Sequence, residues 1–368
     1  MRRHSARSWL DSAVGIAAAQ PERYVESVHV SGRHPSQLLS ASIARRKAEA
    51  SGAAGFWHRH TVSAGRDRVP TAFVLAGGGN RGAYQMGMLR ALAERGVIAD
   101  IVVGCSVGAI NAAIYAGRPT IEEIHLGTDT WRQLTAERVF PHDRLHGAWR
   151  FIEKRESVFP NAGLRRVVAR VARFERIEDS QVPLVVVATR AKDGTEQWFT
   201  DGPTVETILA STALPAVYPT VEIGGVEYID GGVVNNAPIS VALAAGARRI
   251  FLLLCSSVHH GFVDAERPFE ALLSAFDMAL AARLRRDLGT IGDQAELIVL
   301  EPANEARPDW QDFSHTNALI EKGYTASRDI LDTYFAERAS GSGWVSGLSG
   351  SAGGGAVRGS PRRKKVSR

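Results

Sequence analysis

A serine between two glycines is the first pattern in this chain whose residue types could do chemistry. The chain reads Gly-Cys-Ser-Val-Gly around Ser106, with Gly104 and Gly108 at the spacing G-x-S-x-G. An apolar run over residues 101–105 precedes the serine, and a helical pattern of small apolar residues over 107–116 follows it. A serine on such a strand-to-helix turn exposes its hydroxyl at a helix N-terminus, where developing negative charge is stabilised. The pattern predicts a nucleophilic Ser106; the alternative is an ordinary tight turn.

A glycine-rich loop lies upstream of this serine. Residues 77–82 read Gly-Gly-Gly-Asn-Arg-Gly, after an apolar run and before a helical pattern. The spacing of Gly77, Gly79 and Gly82 fits a dinucleotide-binding fingerprint, which expects an acidic residue at the end of the next strand. Asp100 lies instead at the beginning of that strand. A phosphate-binding P-loop would need Gly-Lys followed by Ser or Thr, which this loop lacks.

An oxyanion hole is the interpretation of this loop that we favour. Glycines expose their backbone N–H groups, so those of Gly78 and Gly79 could bind a negatively charged oxygen beside a helix N-terminus. In a parallel sheet, neighbouring strands present their carboxyl ends on the same side. The loop and Ser106 would therefore meet if their two strands are adjacent.

The sequence Asp230-Gly231-Gly232 supplies a candidate base for the serine. It follows a predicted strand over 226–229, and its glycines leave the backbone accessible. An aspartate bonded to Ser106 could take the serine proton directly if burial raises its pKa. For Asp-Gly-Gly alone, the alternative is an ordinary turn.

A histidine base is the second possibility, as in Ser-Asp-His α/β-hydrolases. None of the downstream histidines lies in an informative motif; they are His125, His142, His146, His259, His260 and His315. The pairs His58/His60 and His259/His260 could also bind a metal, but neither has a third ligand at a suitable spacing.

Taken together and in order, these motifs resemble the patatin-like phospholipase family. The matching segments are 77–82 with its glycine-rich oxyanion motif, 104–108 with its nucleophile elbow, 210–219 with its Ser-x-Ala-x-Pro segment, 230–232 with its Asp-Gly-Ala/Gly motif, and 235–238 with the turn that follows. The resemblance covers about residues 70–250. Cys105 departs from it, because Thr or Ala is more usual there, and we expect this small residue to serve packing.

The resemblance implies a Ser106–Asp230 dyad, with Ser106 as nucleophile and Asp230 as proton acceptor. It implies no catalytic histidine, no metal and no cofactor. The implied oxyanion motif contains Gly77, Gly78, Gly79, Arg81, Gly82 and Val107, and the turns around the dyad contain Gly104, Gly108, Gly231 and Gly232. The implied reaction is hydrolysis of acyl esters in phospholipids, lysophospholipids or acylglycerols. A catalytically silent lipid-binding or regulatory module with the same fold is the remaining alternative.

Strands alternate with helices in the hydrophobic pattern that must position these motifs. Strands are predicted over 71–76, 101–105, 182–189, 197–200, 226–229, 250–255 and 297–300, and helices over 82–95, 107–116, 121–134, 164–173, 239–245, 269–287 and 316–337. Such alternation is typical of a mostly parallel sheet covered on both faces. We therefore predict a three-layer α/β/α fold.

Charge is unevenly distributed along the 368 residues, whose net charge is +5. Residues 1–70 carry 11 Lys/Arg against 5 Asp/Glu, and 339–368 carry 6 against none, which leaves −7 for the body between them. An acidic body argues against nucleic-acid binding. The basic ends either solubilise the chain as disordered tails or contact anionic lipid at a membrane surface.

Four regions follow from composition and motifs. We expect a basic, Arg/Ala-rich and partly disordered extension over 1–68, a catalytic core over 70–250, further strands and helices of the same domain over 251–338, and a disordered basic tail over 339–368.

The sequence favours a cytoplasmic protein, and contact of its basic ends with a membrane surface is the alternative to solubilising tails. Its two cysteines fit a reducing compartment, and no apolar segment of signal-peptide length follows Met1. The nearly uncharged run over 97–117 contains glycines and a helix boundary, so we interpret it as a buried strand and helix rather than a membrane span. An apolar stripe is predicted to face the core, with Arg283, Arg285 and Arg286 beside it; the alternative is an interfacial helix that binds lipid. The stripe is Phe269, Leu272, Leu273, Phe276, Leu280 and Leu284.

Overall fold

The computed structural model describes residues 69–141, 157–257, 268–302 and 309–340. Its strands are β1 (Thr71–Leu75), β2 (Ile101–Cys105), β3 (Leu184–Arg190), β4 (Glu196–Phe199), β5 (Val221–Ile223), β6 (Val226–Asp230), β7 (Arg249–Leu253) and β8 (Glu296–Leu300). Its helices are α1 (Ala83–Glu94), α2 (Val107–Gly117), α3 (Ile121–Arg132), α4 (Ala136–Val139), α5 (Ala162–Val171), α6 (Thr204–Ser211), α7 (Gly232–Asn235), α8 (Ile239–Ala244), α9 (Pro268–Ile291) and α10 (Thr316–Ala339).

One mixed sheet contains all of these strands. Strands β3, β2, β1, β7 and β8 lie side by side and parallel, in that order, while β4, β5 and β6 pair antiparallel. Along β1, Phe73 packs into the core on one face of the sheet and Val74 into the core on the other. Because both faces are covered, the parallel strands read as continuous apolar runs. The predicted three-layer α/β/α fold is confirmed.

The structure adds four elements that the sequence pattern does not predict. Helix α7 is a single turn that follows the aspartate motif. Helix α4 is a single turn, and strand β5 is a three-residue edge strand joined to β6 through Gly224 and Gly225, both at positive φ. Helix α6 reads TVETILAS. Its β-branched residues weaken the helical signal, since they lose side-chain freedom against the preceding turn.

Strands β2 and β6 use the same edge of β3. Parallel pairing of β2 with β3 ends at Cys105 beside Val187, and antiparallel pairing of β6 begins at the next residue, with Asp230 beside Ala188. Strand β4 occupies the opposite edge, where Gln197 lies beside Ala188. The carboxyl ends of β2 and β6 therefore point at each other along one line. This head-to-head meeting brings the residue after β2 next to the last residue of β6.

The C-terminal helix α10 packs closely on α1, which begins directly after the glycine-rich loop. A Cβ at Gly87 would lie 2.0 Å from the carbonyl oxygen of Ile320, and one at Gly323 would lie 2.2 Å from that of Tyr84. The two helices can approach this closely only because both positions are glycine. Strands β7 and β8 continue the sheet beyond β1.

Helix α9 corrects one prediction about burial. Leu273, Phe276 and Leu280 face inward, but Leu272 is 62% exposed. Successive helical residues lie about 100° apart, so Leu272 and Leu273 cannot both face the core.

Several sequence-based predictions lie outside the described residues. They concern residues 1–68, almost all of 339–368, and the histidines at 58, 60, 142, 146, 259 and 260. Within the described ranges, no helix is both long enough and apolar enough to cross a membrane.

Candidate active site

Ser106 lies on the sharp turn between β2 and α2. Its backbone has φ 54° and ψ −129°, a conformation that costs a non-glycine residue about 1–3 kcal/mol. A Cβ at Gly104 would lie 2.6 Å from the Cα of Ala109, and one at Gly108 would lie 2.2 Å from the carbonyl oxygen of Leu75. Both flanking glycines are thus sterically required, and together they hold the serine in its strained position.

Asp230 is the hydrogen-bond partner of this serine. The Ser106 hydroxyl donates to Oδ2 of Asp230 over 2.7 Å, and the Gly232 backbone N–H donates to Oδ1 over 2.7 Å. The Thr189 hydroxyl donates to the Asp230 backbone carbonyl over 2.9 Å. The aspartate is only 4% exposed, so its orientation is fixed from both the side chain and the backbone.

Burial shifts the acidity of this carboxyl group. Loss of solvation raises the pKa of Asp230 from 3.8 to about 6, even though the hydrogen bonds from Ser106 and Gly232 act to lower it. A carboxylate with a pKa near neutrality binds a proton more readily than an ordinary aspartate does, while remaining ionised above that pH. The site therefore holds a carboxyl group with a raised pKa in hydrogen-bond contact with the serine hydroxyl.

A second buried serine organises the dyad. The Ser211 hydroxyl accepts the Ser106 backbone N–H over 2.9 Å and donates to the carbonyl oxygen of Val187 over 2.6 Å. The Ser211 carbonyl also accepts the Gly231 N–H over 3.2 Å. Ser211 thus joins the serine turn, strand β3 and the aspartate turn. Sequence analysis assigns it no role, although it lies in the segment 210–219 that resembles the family.

The glycine-rich loop lies in the same cavity as the dyad. Gly79 has φ +60°, and a Cβ at Gly78 would lie 2.2 Å from the Cβ of Cys255. Within the described ranges, the N–H groups of Gly78, Gly79 and Val107 have no hydrogen-bond acceptor. These three donors lie beside Ser106 in the lining of the cavity. Their arrangement is suited to a negatively charged oxygen.

Three other residues of the predicted oxyanion motif have different contacts. The Gly77 N–H already donates to the backbone carbonyl of Asn236 over 3.1 Å. A Cβ at Gly82 would lie 2.4 Å from Cγ2 of Val107, so this glycine lets the starts of α1 and α2 approach. Arg81 donates from Nε to the Gly78 carbonyl over 3.2 Å and forms a 2.9 Å ion pair with Asp277 on α9. These residues shape the loop and fasten it.

An apolar cavity of about 410 Å³ opens beside the dyad. Its volume is within the range of pockets that bind small molecules. Its apolar lining comes from α2, α5, α9 and a cluster of aromatic rings, and includes Ile110, Ile114, Leu164, Val167, Val171, Leu273, Phe276, Leu280, Phe140, Tyr218, Trp310 and Phe313. The arrangement offers a long apolar group a mostly apolar site whose lining includes Ser106.

The alternatives raised by the sequence find no support among the described residues. His125 and His315 are exposed and do not line the cavity, and His315 lies against Asp312. Asp100 accepts the Thr71 N–H at the end of the sheet opposite Ser106, so it is not where a dinucleotide ribose would need it. The described part of the chain contains no cluster of three potential metal ligands.

Comparison with known proteins bears on the same region. Residues 73–243 match the family model of patatin-like phospholipases. Patatin-like phospholipase domain-containing protein 7 of Rattus norvegicus is 30% identical over 185 residues, which cover 50% of this chain and 13% of that protein. Lysophospholipase NTE1 of Mycosarcoma maydis is 26% identical over 289 residues, covering 72% of this chain and 15% of that protein. The chain thus spans only a small part of these curated relatives.

Among solved structures, VipD from Legionella pneumophila has a TM-score of 0.41 and 16% identity, covering 72% of this chain and 67% of that one. The match to the family model spans the glycine-rich loop, the serine turn and the aspartate turn. Residues 73–243 of this chain form a domain of the patatin-like phospholipase family.

Proposed function

We propose that this chain hydrolyses acyl esters of lipids through a covalent acyl-enzyme, with Ser106 as nucleophile and Asp230 as its base. The observation that carries the proposal is the 2.7 Å hydrogen bond from the Ser106 hydroxyl to Asp230 at one end of an apolar cavity. The base is buried, and its pKa of about 6 leaves it ionised at neutral pH.

Acylation begins when the ester carbonyl carbon lies above the Ser106 oxygen. The serine proton moves to Oδ2 of Asp230 as the oxygen attacks, and the carbonyl oxygen becomes negatively charged. The N–H groups of Gly78, Gly79 and Val107 are suited to bind this oxygen, since preformed donors stabilise developing charge without rearranging. When the tetrahedral intermediate collapses, the ester C–O bond breaks and Asp230 returns the proton to the leaving alcohol.

Deacylation uses the same groups with water as the nucleophile. Asp230 takes a proton from the attacking water, whose oxygen bonds to the acyl carbon. The bond to the Ser106 oxygen then breaks, and the proton passes from Asp230 to that oxygen. The products are a free fatty acid and the regenerated serine.

The cavity supports a lipid substrate. A buried aliphatic chain would contact α2, because Ile110 and Ile114 follow Ser106 at intervals of about one helical turn and line the cavity. It would also contact α5, which lines the same cavity. One of the relatives carries the name lysophospholipase, which adds single-chain phospholipids to the candidates. We therefore propose a substrate class of phospholipids, lysophospholipids and acylglycerols.

Product release together with adduct analysis tests this function. Purified protein is incubated with palmitoyl lysophosphatidylcholine, dipalmitoyl phosphatidylcholine or monopalmitoylglycerol, and palmitate is measured by mass spectrometry. Acid-quenched samples should contain a palmitoyl adduct on Ser106, and Ser106→Ala should release no palmitate. Release that persists in Ser106→Ala would refute the proposal. Bound but unhydrolysed lipid in the wild type would point to a silent binding module.

A further inference from the structure

Helix α9 carries apolar side chains on two opposite faces. Its inner face forms one wall of the cavity through Leu273, Phe276 and Leu280, which recur at intervals of three and four residues. Asp277 lies near this face and pairs with Arg81 of the glycine-rich loop. The helix is therefore fastened to the site.

The outer face of α9 is also apolar, although it is exposed to solvent. Leu272 is 62% exposed and Met278 is 40% exposed. The small side chains of Ala275 and Ala279 share this face and are exposed as well. From Ala271 to Ala282 the only charged residue is Asp277, which points toward Arg81. A solvent-facing helix surface normally carries polar residues, so this one suggests an interaction site.

Basic residues follow at the C-terminal end of the same face. Arg285 and Arg286 are exposed there, about two turns beyond Met278. Arg283 lies beside them and pairs with Asp287 along the helix. An apolar face flanked by arginines matches helices that lie in a membrane interface, where apolar side chains enter the acyl region and basic ones meet anionic head groups.

The apolar outer face is close to the cavity, because the inner face of the same helix lines that cavity. Helix α7, which follows the aspartate turn, contacts α9 and exposes Val233, whose exposed fraction is 37%. Both helices contribute to the cavity lining, Gly232 from α7 and Leu273 from α9. A lipid surface held against the outer face of α9 would be separated from the cavity by this one helix.

We propose that the outer face of α9 docks on an anionic lipid surface. Leu272 and Met278 enter the interface, and Arg286 contacts the negatively charged head groups. The purpose of docking rests on the proposed lipid hydrolysis, because docking would bring the ester bonds of lipids to the cavity. Docking itself is measurable without turnover.

Vesicle partitioning of the full chain tests this surface. All proteins carry Ser106→Ala so that the vesicles stay intact, and the vesicles contain 30% phosphatidylglycerol and 70% phosphatidylcholine. The double variant Leu272→Gln/Met278→Gln should partition at least tenfold more weakly than its parent. Ile98→Gln is the matched control, since Ile98 is 51% exposed and precedes β2 at the opposite end of the sheet. Its partitioning should change less than twofold.

A charge variant tests the electrostatic part. Arg286→Gln should weaken partitioning onto the anionic vesicles severalfold and leave partitioning onto pure phosphatidylcholine vesicles unchanged. Added salt should remove the difference between Arg286→Gln and its parent, because mobile ions screen exposed charges.

Three results would overturn the proposal. They are absence of vesicle binding by the parent, equal binding by the double variant, and an equal loss of binding in Ile98→Gln. Concentration-dependent dimerisation that the double variant abolishes, with no vesicle binding, would assign the face to a second copy of the chain.

Hydrolysis of a water-soluble butyrate ester separates docking from the proposed function. With Ser106 intact, the double variant should hydrolyse this ester at the wild-type rate. If wild-type protein binds vesicles but hydrolyses no ester, the proposed hydrolysis fails while docking stands.

Discussion

The Ser211 hydroxyl accepts a 2.9 Å hydrogen bond from the backbone N–H of Ser106, across 105 residues of sequence. The same hydroxyl donates to the carbonyl oxygen of Val187. A single oxygen at the end of α6 thus bridges the strained serine turn and the strand that also pairs with β6. The position of the serine therefore depends on a residue that does not touch the substrate.

Removing this bridge should weaken both the fold and the reaction. In Ser211→Ala the Ser106 N–H and the Val187 carbonyl lose their buried partner, which costs about 1–3 kcal/mol. We expect kcat for ester hydrolysis to fall more than KM changes, because the serine turn loosens. Thr207→Val is the control, since the Thr207 hydroxyl on the same helix is buried and has no hydrogen-bond partner in the part of the chain that the structure describes. Equal effects of the two variants on unfolding and kcat would contradict this role.

The raised pKa of Asp230 predicts the pH profile of the reaction. The base must be ionised, so kcat/KM should rise with pH through about 6 and then stay level. An aspartate with an ordinary pKa would produce the rise near pH 4. Initial rates of hydrolysis of a soluble butyrate ester between pH 4 and 9 give this profile. An inflection of kcat/KM near pH 4 would exclude a buried base.

The same shift has a consequence for stability. The folded state holds the Asp230 proton more tightly than the unfolded state, so the contribution of this group to stability falls as pH rises from about 4 to above 6. A shift of this size corresponds to about 3 kcal/mol. Asp230→Asn has no such cost and should gain stability relative to wild type over this range, while losing activity. Denaturant unfolding of both proteins at pH 4 and pH 8 tests this prediction. If the two free energies of unfolding differ by the same amount at both pH values, the linkage between the Asp230 pKa and stability is refuted.

The positive φ of Gly79 allows a paired test of the oxyanion loop. Gly79 and Gly194 both have positive φ, at +60° and +68°, and a Cβ at either would meet no atom within 4 Å. Alanine at either position should destabilise the chain by about 1–2 kcal/mol through backbone strain. Only Gly79→Ala should lower kcat, by about 10²-fold if its N–H moves away from the oxyanion. Equal kcat values for the two variants would remove Gly79 from the proposed hole.

The depth of the cavity predicts a preference for chain length. Ile114 lies eight residues after Ser106 on α2, about 12 Å along the helix axis. Ile114→Phe should obstruct the cavity at that depth and lower kcat/KM for acyl chains longer than about ten carbons, at roughly 1.3 Å per methylene. Butyrate esters should react normally, and Ile114→Leu, which keeps the volume, should retain the wild-type preference. An equal loss of kcat/KM for acyl chains of all lengths would contradict a position of the acyl chain along α2.

Much of the site can be predicted from sequence because its requirements are local. Ser106 needs glycines on both sides, since any Cβ at Gly104 or Gly108 would strike backbone atoms. The Asp-Gly-Gly turn likewise indicates Asp230 as the candidate base. These constraints act within a few residues and leave a readable pattern.

The remaining features depend on contacts between distant segments. The exchange of partners along β3, where β6 replaces β2, is set by the pairing of Ala188 with Asp230. No local pattern encodes that register, and none distinguishes Ser211 from other buried serines. The sequence pattern of α9 joins Leu272 and Leu273 in one apolar stripe, so the pattern alone does not separate the inner face of this helix from its outer face.

Labelling with a fluorophosphonate tests the central claim most directly, because this reagent forms a stable bond to an activated serine. The modified peptide is mapped by mass spectrometry in the wild type, Ser106→Ala and Asp230→Asn. The account predicts that the wild type is labelled on Ser106 alone, that Ser106→Ala is not labelled, and that Asp230→Asn reacts far more slowly. Labelling of Asp230→Asn at the wild-type rate, or labelling of another serine in its place, would contradict it.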